Sequence, residues 1–133
     1  MQIKRGAIFL SEKIKNIEHP KFFVIIGEDA NNFVGYFFIN SSVNKYMFSR
    51  QDFINMQMNI KRSKYDSFLK YDSFIDCHEL SKIKKDTLLE QINNKITEYK
   101  GELTEEDLEM LMENLRKSDL YSKVEKDTFF NVL

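Results

Sequence analysis

Two apolar runs separated by a polar turn constrain this chain more than any other feature. Phe22-Phe23-Val24-Ile25-Ile26 is followed by Gly27-Glu28-Asp29-Ala30-Asn31-Asn32, and then by Phe33-Val34-Gly35-Tyr36-Phe37-Phe38-Ile39. Runs of this length, rich in aromatic and β-branched residues and bounded by turn formers, read as buried strands. In an antiparallel pair the start of the first lies beside the end of the second. Folding symmetrically about the turn sets Ile26 against Phe33 and His19 against Asn40. One rim of the sheet then collects His19, Lys21, Asn40, Ser41 and Ser42, a small polar site at the end of a rigid core.

The chain has 133 residues, the size of one domain, so a single domain over residues 1–133 is expected. It is 42% hydrophobic with twelve Phe and no Trp, enough apolar mass for a core. The formal charge of −1 hides an asymmetry: residues 1–70 hold eleven Lys/Arg against six Asp/Glu, and residues 71–133 hold nine against fifteen. A basic half can face phosphates, while an acidic half reads as solvated helix faces. The single Cys, Cys77, excludes an intrachain disulfide and fits a reducing cytoplasm. Lys4 and Arg5 are not followed by a long apolar region, so no signal peptide is expected. No apolar run approaches the roughly 20 residues of a membrane span. The expectation is a soluble, cytoplasmic protein without a membrane partner.

Around the hairpin the pattern predicts an α+β order. Arg5 to Leu10 reads as a first strand, and Ser11 to Glu18 as a polar connection. Ser49 to Met56 reads as a short helix with Ser49 as N-cap and Asp52 in its first turn. Asn59-Ile60-Lys61-Arg62 reads as a brief edge strand. Tyr-Asp-Ser-Phe occurs at 65–68 and again at 71–74, too close together for a structural repeat. Ser73 to Leu80 alternates, with Phe74, Asp76, His78 and Leu80 on one face, and its mixed faces predict a twist or bulge near His78. Lys84 to Asn94 reads as a short helix and Lys95 to Leu103 as a last strand. The clearest helix follows. Thr104 is its N-cap, Asp107 stands at N3 as a shorter capping-box acid, and Leu108, Leu111, Met112 and Leu115 form the apolar stripe. Residues 118–133, with Leu120, Tyr121, Val124, Phe129 and Phe130, are too apolar to be free and are expected to pack as a C-terminal extension. The sum is a small, curled antiparallel sheet or SH3-like barrel with a C-terminal helix and short connecting helices.

The order of these landmarks resembles the MazF/PemK-like toxins, endoribonucleases of toxin–antitoxin systems. Arg5-Gly6 before the first strand is similar to the family's opening Arg-Gly-Asp, with Ala7 in place of the acid. Pro20-Lys21-Phe22-Phe23-Val24-Ile25-Ile26 resembles its Arg-Pro-x-x-Val-Ile strand. Phe74 to Leu80 followed by Lys85-Asp86-Thr87-Leu88 resembles the late strand and Asp-Lys-x-Arg-Leu turn. Gly101-Glu102-Leu103-Thr104-Glu105-Glu106-Asp107-Leu108 resembles the opening of the terminal helix. The family's catalytic Arg precedes the hairpin Pro, where this chain has His19. Its catalytic Thr or Ser follows the second strand, where this chain has Asn40, then Ser41. The resemblance implies cleavage of single-stranded RNA without a metal or other cofactor, a homodimer, and a cognate antitoxin that covers the RNA groove.

Such chemistry needs a base for the 2′-hydroxyl, an acid for the leaving 5′-oxygen, and donors for the charge on phosphorus. As an imidazole, His19 suits the base or the acid. Lys21 suits phosphate, and Asn40, Ser41 and Ser42 are donors. The catalytic candidates are His19, Asn40 and Ser41; the RNA-binding candidates are Arg5, Lys21, Ser42, Lys61, Arg62 and Lys64. Tyr46, Phe48 or Tyr65 would stack bases. His78 reads first as a strand residue hydrogen-bonded in the sheet, and Cys77 as buried packing. The two His lack metal-ligand spacing, so no metal site is expected. The rival reading is a catalytically inactive binding module on the same fold, docking a protein or nucleic-acid partner. A third is an accessory protein whose apolar tail docks a partner.

Overall fold

The computed structural model describes residues 3–12 and 19–130. Among them, seven strands form one antiparallel sheet: β1 (Ala7–Ser11), β2 (Lys21–Glu28), β3 (Phe33–Asn40), β4 (Gln57–Ile60), β5 (Ser73–Asp76), β6 (Ser81–Lys84) and β7 (Thr97–Glu102). The order is β4-β5-β3-β2-β1-β7, and β6 joins the same edge of β3 as β5, further along. The sheet does not close, because β4 and β7 are its two ends. The helices are α1 (Gln51–Ile54), α2 (Lys85–Asn93), α3 (Glu105–Lys117) and the single turn α4 (Lys123–Glu125), which runs into a π-helical turn over Lys126–Phe130. The class is therefore α+β, as the pattern predicts. From residue 13, the connection expected over 11–18 lies outside the described residues, as do residues 131–133 of the tail.

The hairpin forms, but its register differs from the symmetric fold. Phe22 pairs with Ile39 and Val24 with Phe37, which puts Lys21, not His19, beside Asn40. Two local devices set this. Asp29 accepts from the backbone N–H of Asn31 and of Phe33, both at 2.9 Å, and Asn32 takes a left-handed φ of 64°, so the turn ends at a different place. A bulge between Ile25 and Gly27 then shifts the ladder again. Near the rim the slip is an even number of residues, so each side chain keeps the face that alternation predicts.

Both faces of the sheet are covered. On one, Ile8, Val24, Ile26, Phe37, Ile39 and Ile75 meet Leu111, Met112 and Leu115 of α3. On the other, Ala7, Phe9, Phe23, Ile25 and Tyr36 meet Leu88 of α2, with Ile83 and Ile92 at the margin. The apolar stripe of α3 is the one its spacing predicts. Thr104 caps it, its side-chain oxygen accepting from the Asp107 N–H at 3.2 Å. Asp107 does not complete the capping box: its carboxylate accepts from the Tyr65 hydroxyl at 2.5 Å instead. The 49–56 helix is shorter than expected. Lys45–Ser49 is 3-10, and the N-cap of α1 is Arg50 with no side-chain cap bond, so Ser49 does not cap. The predicted 59–62 strand is β4, displaced two residues toward the N-terminus. The strand expected over Ser73 to Leu80, with a twist or bulge near His78, is shorter: β5 ends at Asp76, and the chain turns through 77–80 before β6 begins at Ser81.

The C-terminal extension packs on the body. Tyr121, Phe129 and Phe130 are buried, and each such ring stabilises by about 2–3 kcal/mol. Val124 departs from expectation, being 74% exposed. Gly27 and Gly35 pair across β2 and β3 and leave a notch that Phe129 fills: a Cβ on Gly27 would meet the Phe129 carbonyl oxygen at 2.8 Å, and one on Gly35 the Phe129 ring at 2.9 Å. Arg5 fastens the seam, donating to the Ile26 carbonyl at 2.6 Å and the Phe129 carbonyl at 2.7 Å.

Candidate functional site

Lys21 opens β2 and Asn40 closes β3, and the Lys21 ammonium donates to the Asn40 side-chain oxygen. Around this pair lies an open pocket of about 610 Å³ at the end of the hairpin. His19, Lys21, Asn40 and Ser41 all line it, so the register slip moves partners without dispersing the group. The 67–71 segment forms the opposite wall, with the Phe22 and Phe68 rings 5.6 Å apart and Tyr71 exposed at the mouth. Lys70 and Lys100 add two cations, the latter paired with Glu98 at 3.3 Å. Among the described residues that line it there is no carboxylate. A pocket with three lysines, one histidine and no acid favours anions.

Lys21 is half-buried, and that burial lowers its pKa below the usual lysine value; Asp76 opposes the shift. The ammonium also lies 5.6 Å from the centre of the Phe38 ring. A partly desolvated cation holds an incoming phosphate more strongly than a lysine in open water, because less hydration is lost on contact. His19 is exposed, its Nδ1 3.4 Å from the Pro20 carbonyl oxygen. Ser42 is exposed on the turn just beyond Ser41 and does not line the pocket.

The remaining basic candidates do not form one rim. The Arg5 guanidinium is engaged by the two carbonyls that close the C-terminal seam, far from the pocket lining. Lys64 pairs with Asp107 at 3.4 Å and Glu106 at 3.5 Å. Lys61 stands 4.0 Å from Asp72, whose carboxylate also accepts from the Arg62 backbone N–H at 2.8 Å. Tyr65 is buried and so offers no stacking face, whereas Tyr46 and Phe48 are 58% and 67% exposed.

A second polar cluster surrounds His78, which lies in the turn after β5 rather than hydrogen-bonded within a strand as alternation predicts. Its Nδ1 bonds the Asp76 carboxylate, which also accepts from the Gln57 amide at 2.7 Å. Phe53 covers the imidazole with ring centres 4.6 Å apart, and the Tyr46 hydroxyl is 3.5 Å from Nε2. The signal was present, since positions two apart on a strand share a face. Cys77 between them points into the core, and burial pushes its thiol pKa well up. Among the described residues no three His, Cys, Asp or Glu side chains converge as a metal site, and no helix is long and apolar enough to cross a membrane.

The fold and pocket together define an α+β domain with a cationic cleft at the open end of its central hairpin. No protein-family model matches the chain, and no curated protein matches its sequence.

Proposed function

We propose that this chain is a MazF/PemK-like endoribonuclease that cleaves single-stranded RNA without a metal, on an SH3-like curled sheet. In this reading it works as a cytoplasmic homodimer and is inhibited by a cognate antitoxin. The observation that carries it is the convergence of His19, Lys21, Asn40 and Ser41 in a pocket whose described lining holds three lysines and no acid. The order of motifs along the chain supports it as well.

The chemistry assigns each residue a step. Neutral His19 takes the 2′-hydroxyl proton as the oxygen attacks the adjacent phosphorus. The bond from phosphorus to the 5′-oxygen breaks, and that oxygen takes a proton from the imidazolium or from water. The products are a 2′,3′-cyclic phosphate and a 5′-hydroxyl. Lys21, with the Asn40 amide and the Ser41 hydroxyl, stabilises the charge on the phosphoryl oxygens.

A mixed pool of end-labelled RNA tests this. The wild-type protein leaves 2′,3′-cyclic phosphate ends in the presence of a chelator. His19→Ala lowers the rate about 10²–10⁴-fold, and Lys21→Met about 10²–10³-fold. Because burial lowers the Lys21 pKa, RNA binding that needs its charge is lost on raising the pH, sooner than for an exposed lysine. An RNA pool left uncut by the wild-type protein overturns the enzyme reading. One observation favours a second reading, a module that binds phosphodiesters without cutting: among the described residues, the hydrogen-bond neighbour of the His19 ring is the Pro20 carbonyl rather than a group that would orient a base. Binding without cleavage would select that reading.

A further inference from the structure

The pocket does not end at Lys21. Register places Lys21 beside Asn40, Asn40 beside Phe74, and Phe74 beside Asn59, four side chains in one row across β2, β3, β5 and β4. With strands about 4.8 Å apart the row is about 14 Å long. Helix α2 covers this face only further along, where Leu88 and Ile92 meet Phe9, Phe23 and Tyr36. At the row's end Asn59 is exposed and Phe74 partly so. Beyond Asn59 the chain leaves β4 through Lys61, which alternation returns to the same face, and then the exposed Arg62.

We infer that this row is a base-reading track for single-stranded RNA leading away from the pocket. The inference rests on the reading of that pocket as a phosphodiester site. The row is continuous with the pocket, because Lys21 and Asn40 belong to both. Its chemistry runs in a sequence suited to one strand. Lys21 stands at one end and Lys61 with Arg62 at the other, to meet phosphates; Asp72 beside these two moderates that end without removing it. Between them the Asn40 oxygen is taken by Lys21, so its amide N–H groups are the donors offered. The Asn59 amide N–H donates to the Ser73 carbonyl at 3.3 Å, so its oxygen is the acceptor offered. Phe74 lies between donor and acceptor as a stacking surface. Donor, ring and acceptor in line fit the edge and face of an unstacked base, which duplex RNA does not present.

Oligomer length separates the track from the pocket. Fluorescence anisotropy would be read with 2′-O-methyl oligoribonucleotides, which resist cleavage, as a dinucleotide and as octamers of each base. Asn59→Ala and Phe74→Leu are expected to weaken octamer binding about tenfold each and to leave the dinucleotide unchanged. Lys21→Met weakens both lengths. Asn59 is exposed, so its variant keeps the fold even if Phe74→Leu does not. Octamer affinity unchanged in Asn59→Ala and in folded Phe74→Leu, with Lys21→Met still impaired, refutes the track and leaves the pocket reading standing. A wild-type protein that binds neither length refutes both.

Discussion

The glycine notch beneath Phe129 makes a prediction that a generic picture of C-terminal packing does not. Gly27→Ala places a Cβ 2.8 Å from the Phe129 carbonyl oxygen, and Gly35→Ala places one 2.9 Å from the ring carbon Cδ1. Both distances lie inside van der Waals contact, and the ring cannot swing away because Phe129 is buried. Each variant should therefore lose about 1–3 kcal/mol to overpacking. The two differ in what relieves them. Phe129→Val removes the ring carbons but keeps the carbonyl, at its own cost of about 2–4 kcal/mol. In a double-mutant cycle it should recover much of the Gly35→Ala penalty, short of the part owed to Leu80 at 3.2 Å. It should leave the Gly27→Ala penalty unchanged to within about 0.5 kcal/mol. Urea unfolding of the six proteins (wild type, the three single variants and the two double variants) at one temperature reads both couplings. Equal relief of the two glycine variants, or a Gly27→Ala protein as stable as wild type, would show that Phe129 does not sit in the notch as described.

Three further expectations follow from buried side chains. Tyr65 donates to Asp107 at 2.5 Å and accepts from the Thr104 N–H at 3.1 Å, so Tyr65→Phe should cost about 1–3 kcal/mol by urea unfolding. Burial first, and the Asp107 bond second, push the Tyr65 pKa up to about 12, above the ordinary value of about 10. A raised folded-state value means its stabilisation is complete below pH about 10 and is lost as pH rises toward 12; the wild-type urea midpoint should fall across that window more steeply than that of Tyr65→Phe. Cys77 should not react with a thiol reagent at pH 8 until urea unfolds the protein, and reaction at the rate of a free thiol would contradict its burial.

What could be read in the sequence was what depends on periodicity. The stripe of α3 and the alternation of the hairpin each follow from side-chain direction, and both faces came out as expected. Register did not, because it is fixed by an Asp29 side chain bonding two backbone N–H groups and by one bulge, neither of which hydrophobic alternation reports. The pocket survived that error because its residues cluster at strand ends, where a slip of two leaves neighbours still neighbours. That the basic RNA-binding candidates do not all gather at the pocket has a different reason. Arg5 and Lys64 are claimed by partners 124 and 43 residues away, and no local pattern announces contacts of that range.

The seam between Arg5 and the Phe129 carbonyl also bears on how the chain comes off the ribosome. The first hairpin is complete by residue 40, yet its notch stays empty until residues near 129 have emerged. Part of that face of the core is thus sealed by segments made late in synthesis, α3 and the C-terminal extension. A nascent chain stalled before Phe129 would expose the floor of the notch and the apolar residues around it, a state open to chaperones, proteases and self-association.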